Sequence, residues 1–61
     1  MSKFLVVWGA NGFGDDAKFF NRYDIALSFA NGLSKSILAD VIQIYEWDSE
    51  DDMYKFLQEI W

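Results

Sequence analysis

The chain contains no cysteine, no histidine and no proline. Without cysteine there are no disulfides and no thiolate zinc sites. Without histidine the commonest metal ligand and the usual general base are missing. Basic side chains are also scarce: five Lys and Arg stand against ten Asp and Glu, a formal charge of −5. No uncharged run approaches the roughly 20 residues that a membrane-crossing helix requires. The apolar run Phe4, Leu5, Val6, Val7, Trp8 is too short for the core of a signal peptide, and no small-residue cleavage site follows it. These absences predict a cytoplasmic protein that attaches to no membrane and depends on no oxidising compartment.

Length excludes more. At 61 residues and 7.1 kDa the chain is several times too short for a dinucleotide-binding fold or a TIM barrel. A single small domain over residues 1–61 is expected. Surface scaling gives about 60% of the extended chain's surface buried on folding. That burial contributes roughly 93 kcal/mol, against about 92 kcal/mol for ordering the chain. The two nearly cancel. Chains of this size add disulfides, a metal or an oligomer contact, and the chemistry for the first two is missing, so a homodimer or stabilisation by a partner is expected. No cofactor is expected.

What is abundant is aromatic. Three Trp, three Tyr and six Phe make up 20% of the residues, within 52% hydrophobic and 25% charged. That balance is globular. One core layer cannot hide twelve rings, so some are expected at the surface, where aromatics serve interfaces.

Along the chain, residues 3–8 read as a buried strand ending at Gly9. The segment 9–16 is dense in turn formers, with Asn11-Gly12 suited to a hairpin. Residues 17–23 are rich in strand formers. Asp24 is placed as an N-cap before the set Ala26, Phe29, Ala30, and Asn31-Gly32 as a left-handed C-cap with Leu33 folding back. Residues 34–39 connect to a strand over 41–47, with Ile42 and Ile44 inward and Val41, Gln43, Tyr45 and Trp47 on the other face. Ser49-x-x-Asp52 resembles a capping box, and Met53, Phe56, Leu57 and Ile60 fall at helical spacing, predicting a final helix. The expected fold is α+β, a small antiparallel-type sheet in the order ββαβα. The alternative is βαβα, with one long first helix over 17–31.

Three constellations bear on function. The first is Gly9-x-x-Gly12-x-Gly14, which inverts the order of a dinucleotide loop, has no following Lys and precedes Asp15-Asp16; a phosphate site is therefore rejected. The second is acidic: from residue 40 onward seven acids and one base give −6, whereas residues 1–39 sum to +1. Glu50, Asp51 and Asp52 would complement the start of the final helix. With Asp48 they would also form a charged rim for a partner with a basic surface, such as a nucleic-acid-processing or defence protein. The oxygen spacing and the glycine of an EF-hand are missing. The third is aromatic: Tyr45 and Trp47, with one alternating set of the first two strands such as Phe20 beside Lys18 and Arg22, face away from the first helix. There the final helix covers them, or they form an interface with Tyr54, Phe56 and Trp61.

Stacking on nucleic acid is disfavoured, because single-strand binders set their aromatics in a basic groove. Nothing orients a nucleophile beside a carboxylate, so no enzyme is expected. In size, acidity and aromatic load the chain resembles the small proteins of bacterial viruses that bind and inhibit host or defence proteins, a likeness of composition that rests on no motif. The resemblance implies an inhibitor acting by steric occlusion. The residues expected to carry it are Trp47, Phe56 and Trp61 as anchors, Tyr45 and Tyr54 beside them, and Asp48, Glu50, Asp51 and Asp52 as the rim. The alternatives are a self-assembling structural module and a small-ligand binder with a pocket near Phe13 and Tyr23.

Overall fold

A computed structural model describes residues 2–10, 16–35 and 39–60. Strands β1 (Phe4–Gly9) and β2 (Asp16–Phe20) precede helix α1 (Tyr23–Ser34), which is followed by strands β3 (Val41–Asp48) and β4 (Met53–Glu59). The strands form one antiparallel sheet in the order β2-β1-β3-β4. The fold is α+β, one helix on a small antiparallel sheet. The long-helix alternative is excluded by β2, whose residues pair with β1 from Phe4↔Phe20 to Trp8↔Asp16. The turn proposed at Asn11-Gly12 lies outside the described residues.

Period-two alternation sorts the side chains into two faces. Phe4 and Val6 of β1 and Ile42 and Ile44 of β3 point to α1, where Ala26 and Ala30 meet them; these six residues are the buried core. Alanine at both helix positions lets the backbone of α1 lie close on the sheet. Trp8, Phe20, Leu27, Phe29, Leu33 and Ile60 pack around that centre. The rings of Trp8 and Phe20 each sit 5.2 Å from Phe29, and the Lys18 ammonium lies 5.4 Å from the same ring, closing the β2 side with a cation–π contact. Val6, Ala26, Ala30 and Ile44 are fully buried, so nearly all apolar stabilisation comes from this one layer.

Two helix boundaries differ from expectation. Asp24 is not the cap. Arg22 occupies that position with extended backbone and no side-chain cap bond, and Asp24 instead pairs with the Arg22 guanidinium at 2.9 Å in the first turn. Nor does Asn31-Gly32 end the helix, which continues to Ser34 with Lys35 as a right-handed C-cap. Leu33, in this last turn, packs against the core. Gly32 therefore sits in helix with nothing within 4 Å of an added Cβ. Gly32→Ala should stabilise by about 0.4–1 kcal/mol, read as a Tm rise of a few degrees in a thermal melt.

The final element is the main correction. Residues 53–59 form a strand, not a helix. β4 pairs with β3 from Asp48↔Met53 to Tyr45↔Phe56, then resumes at Ile44↔Gln58 and Gln43↔Glu59. Leu57 is the extra residue of a β-bulge. A bulge shifts alternation by one position: Tyr54 and Phe56 face away from α1, whereas Gln58 and Ile60 face toward it. Tyr23 donates its hydroxyl hydrogen bond to Gln58, and Ile60 N donates to Ile42 O at 2.9 Å. The spacing of 53, 56, 57 and 60 that mimics a helix is that of a strand that changes face.

Candidate interaction surface

Because no final helix forms, the second face of the sheet has no layer over it among the described residues. α1 packs against β1, β2 and β3 from the other side, and the Cα trace is only 15 Å deep along its shortest axis. Pairing assigns Leu5 and Val7 of β1, Ala17 and Phe19 of β2, Gln43, Tyr45 and Trp47 of β3, and Tyr54, Phe56 and Glu59 of β4 to this open face. Glu59 is the one charged residue among them.

The rings there touch in cross-strand pairs. Trp47 and Tyr54 are 5.1 Å apart at 69°, and Tyr45 and Phe56 are 5.9 Å apart at 81°, both edge-to-face, the geometry favoured by ring quadrupoles. Tyr54 leans across the sheet, donating its hydroxyl to Ser2 O at 2.6 Å and coming within 5.8 Å of Phe19. Tyr45 donates to Gln43 Oε1 at 2.9 Å. These contacts fix the rings without hiding them all: Phe19 is 56% and Phe56 57% exposed. Of the ten described aromatics, only Phe4 is buried.

Two of the three candidate anchors, Trp47 and Phe56, thus lie on one surface with Tyr45 and Tyr54 beside them. Trp61 is outside the described residues. Phe20 and Lys18, placed with them from sequence, are on the helix side instead, because Phe20 pairs with Phe4. The β2 contribution is Phe19, which sequence reasoning missed along with Leu5 and Val7. The signal was available: once Phe4 and Val6 are assigned inward, the antiparallel register that puts Phe20 inward forces Phe19 out.

The acids do not start a helix. They build the tip of the β3–β4 hairpin, next to the Trp47–Tyr54 pair. Asp48 Oδ1 accepts hydrogen bonds from the backbone N–H of Glu50 (2.9 Å) and Asp51 (3.4 Å), an Asx turn. Asp52 closes the loop with φ 55°, a left-handed conformation that Asp tolerates better than most residues. Lys55 reaches back to Asp48 at 2.9 Å and also pairs with Asp51. Among the described residues no cation pairs with Glu50 or Asp52, so these two carry the outward negative charge of the tip.

The Lys55 contact, followed by the two backbone N–H groups, holds the Asp48 carboxyl below the usual carboxylate range. Asp51, followed by Asp48, raises the Lys55 ammonium above its ordinary value. A lowered carboxylate pKa stabilises the fold above its unfolded value of about 4, and that stabilisation is lost as pH falls through the folded value. A raised Lys pKa stabilises below about 10.4, with loss as pH rises through its folded value. The hairpin contribution is therefore flat from about pH 4 to 10. Asp48→Asn, which keeps a carbonyl for the turn, should melt above Asp48→Ala and should weaken the acid limb of the Tm–pH curve.

Beside the tip, an open depression of about 380 Å³ is lined by Lys3, Glu46, Trp47, Asp48, Ser49 and Glu50. Tyr23 is not part of it; its ring lies 5.6 Å from that of Phe4, tilted by 57°, and Phe13 lies outside the described residues. No described helix is long and apolar enough to cross a membrane. No family model, curated protein or solved structure matches the chain.

Proposed function

We propose that the chain is a non-enzymatic protein-binding module that occludes a partner's surface with the open face of its sheet. One observation supports this above all: a solvent-facing patch anchored by Phe19 and Phe56, flanked by Tyr45, Trp47 and Tyr54, with a single charged residue. Contiguous aromatic patches of this kind on small domains mark contact sites, and Trp and Tyr dominate the energetics of such contacts. The adjoining tip, through Glu50 and Asp52, selects a partner with a basic surface and steers its approach. Inhibition then follows from exclusion: whatever uses that basic surface is displaced.

The test compares capture from the native host's lysate by the wild type, Phe56→Glu and Ile25→Glu. Ile25 is a control of similar exposure, at 49%, but on α1. Phe56→Glu should weaken capture of a defined partner at least about tenfold, with Ile25→Glu unaffected and all three chains melting alike. The double variant Glu50→Gln/Asp52→Asn should slow association and flatten its salt dependence. Undiminished capture by Phe56→Glu would remove the proposal.

A further inference from the structure

We infer that, when no partner is bound, the open face is covered by the same face of a second copy, as a face-to-face two-fold dimer. The inference rests on the reading of this face as the contact surface and names its resident occupant. The sheet's edges are guarded against the other way two copies could join. β2 is five residues long with Lys18 at its centre, and β4 carries Lys55 and the bulge at Leu57. Short strands, central lysines and bulges are the devices that blunt edge-to-edge pairing. The face carries none of them. It is apolar, aromatic and nearly free of charge, the composition of homodimer contacts rather than of general surface.

Area is sufficient. Four strands at ~4.8 Å spacing, with about six residues at ~3.3 Å rise, give each copy roughly 400 Å² in projection. The protruding, half-exposed rings of Phe19 and Phe56 add relief, so a pair removes on the order of 1,000 Å² from water, the threshold for specific association. Each copy carries −5, with Asp48, Glu50, Asp51 and Asp52 at the hairpin tip and Asp16, Asp40 and Glu59 at the other end of the sheet. Like charge therefore opposes the pair whichever way its two-fold axis runs, and association tightens as salt screens it.

Sedimentation equilibrium on the full chain, over three decades of concentration, tests this. The expected result is a monomer–dimer equilibrium with no larger species, tightening as salt rises from about 0.05 to 0.5 M because like-charged copies repel less. Phe56→Glu should raise the dimer Kd at least about tenfold, and Phe19→Ser should do the same without adding charge, while Ile25→Glu leaves it unchanged. Circular dichroism confirms that each variant is folded. A wild type that stays monomeric throughout would overturn the inference, as would open-ended assembly, a dimer weakened by salt, or one indifferent to both face variants. A monomer that still captures its partner through Phe56 would overturn the dimer alone and leave the proposed function standing.

Discussion

Ile44→Ala is expected to unfold most of the protein at physiological temperature. Ile44 is one of the two largest fully buried side chains, the other being Val6, against which it pairs directly. It lies in the middle of a core of six buried residues among those described. Removing three carbons there sacrifices burial and leaves a cavity that neighbouring strands, pinned by their ladders, cannot collapse around; such truncations cost about 2–5 kcal/mol. A single-core domain of this size rarely holds more than about 3–5 kcal/mol in total. The folded surface is consistent with that thin margin: 4252 Å² remains accessible, close to the roughly 4,100 Å² that scaling gives for this mass. The chain has found no extra burial. Urea titration followed by far-UV circular dichroism reads the loss, and a midpoint within experimental scatter of wild type would contradict the assigned core. Phe56→Ala, by contrast, should shift the midpoint little in the monomer, since more than half of that ring is already in water.

Deleting Leu57 is the second informative change, and it is expected to leave both faces of β4 in place. Leu57 is the unpaired residue between Tyr45↔Phe56 and Ile44↔Gln58, so its removal lets Gln58 follow Phe56 in continuous alternation. Tyr54 and Phe56 stay on the open side and Gln58 and Ile60 on the helix side, and the Tyr23–Gln58 hydrogen bond that ties the start of α1 to β4 is kept. The opposite would hold if Leu57 stayed and paired with Ile44: every later residue would then change face. The expected outcome of the deletion is a dispersed amide spectrum with changes confined to the end of β4 and its β3 partners. Resonances broadened over the whole of β4 would contradict this register.

That bulge also explains how far the sequence could be read. β1 and β3 were legible because Leu5-Val6-Val7 and Val41-Ile42-Gln43-Ile44-Tyr45 combine β-branched and aromatic residues with clear terminators. α1 was legible from Ala26, Phe29, Ala30 and Leu33, which do face the sheet. β4 was not, because a bulged strand places apolar residues three and four apart, the signature of a helix. The turn misled for a related reason. Asp residues serve helix starts and Asx turns equally well, and Asp48 rather than Ser49 is the acceptor that organises this loop. Four acids and a serine between Trp47 and Met53-Tyr54 were a hairpin signal, with Asp48↔Met53 as its first rung and the Trp47–Tyr54 pair as its second. On the open face, Tyr45 and Trp47 follow from alternation along β3, whereas Tyr54 and Phe56 were named from a helical stripe that does not form. Phe19 was missed because its place depends on the β1–β2 register. Of the four acids of the rim, Asp48 and Asp51 pair with Lys55 within the hairpin.

The central claim is that this molecule meets others through the open face of its sheet, and the most direct test is to map aromatic and methyl resonances by NMR while either concentration or partner is titrated. The account predicts that signals from Phe19, Trp47, Tyr54 and Phe56 move together. Ile25 and Met53, which are about as exposed but lie on the helix side, should stay in place. Shifts centred on Ile25 and Met53, or confined to the backbone of the β2 and β4 edges, would contradict it.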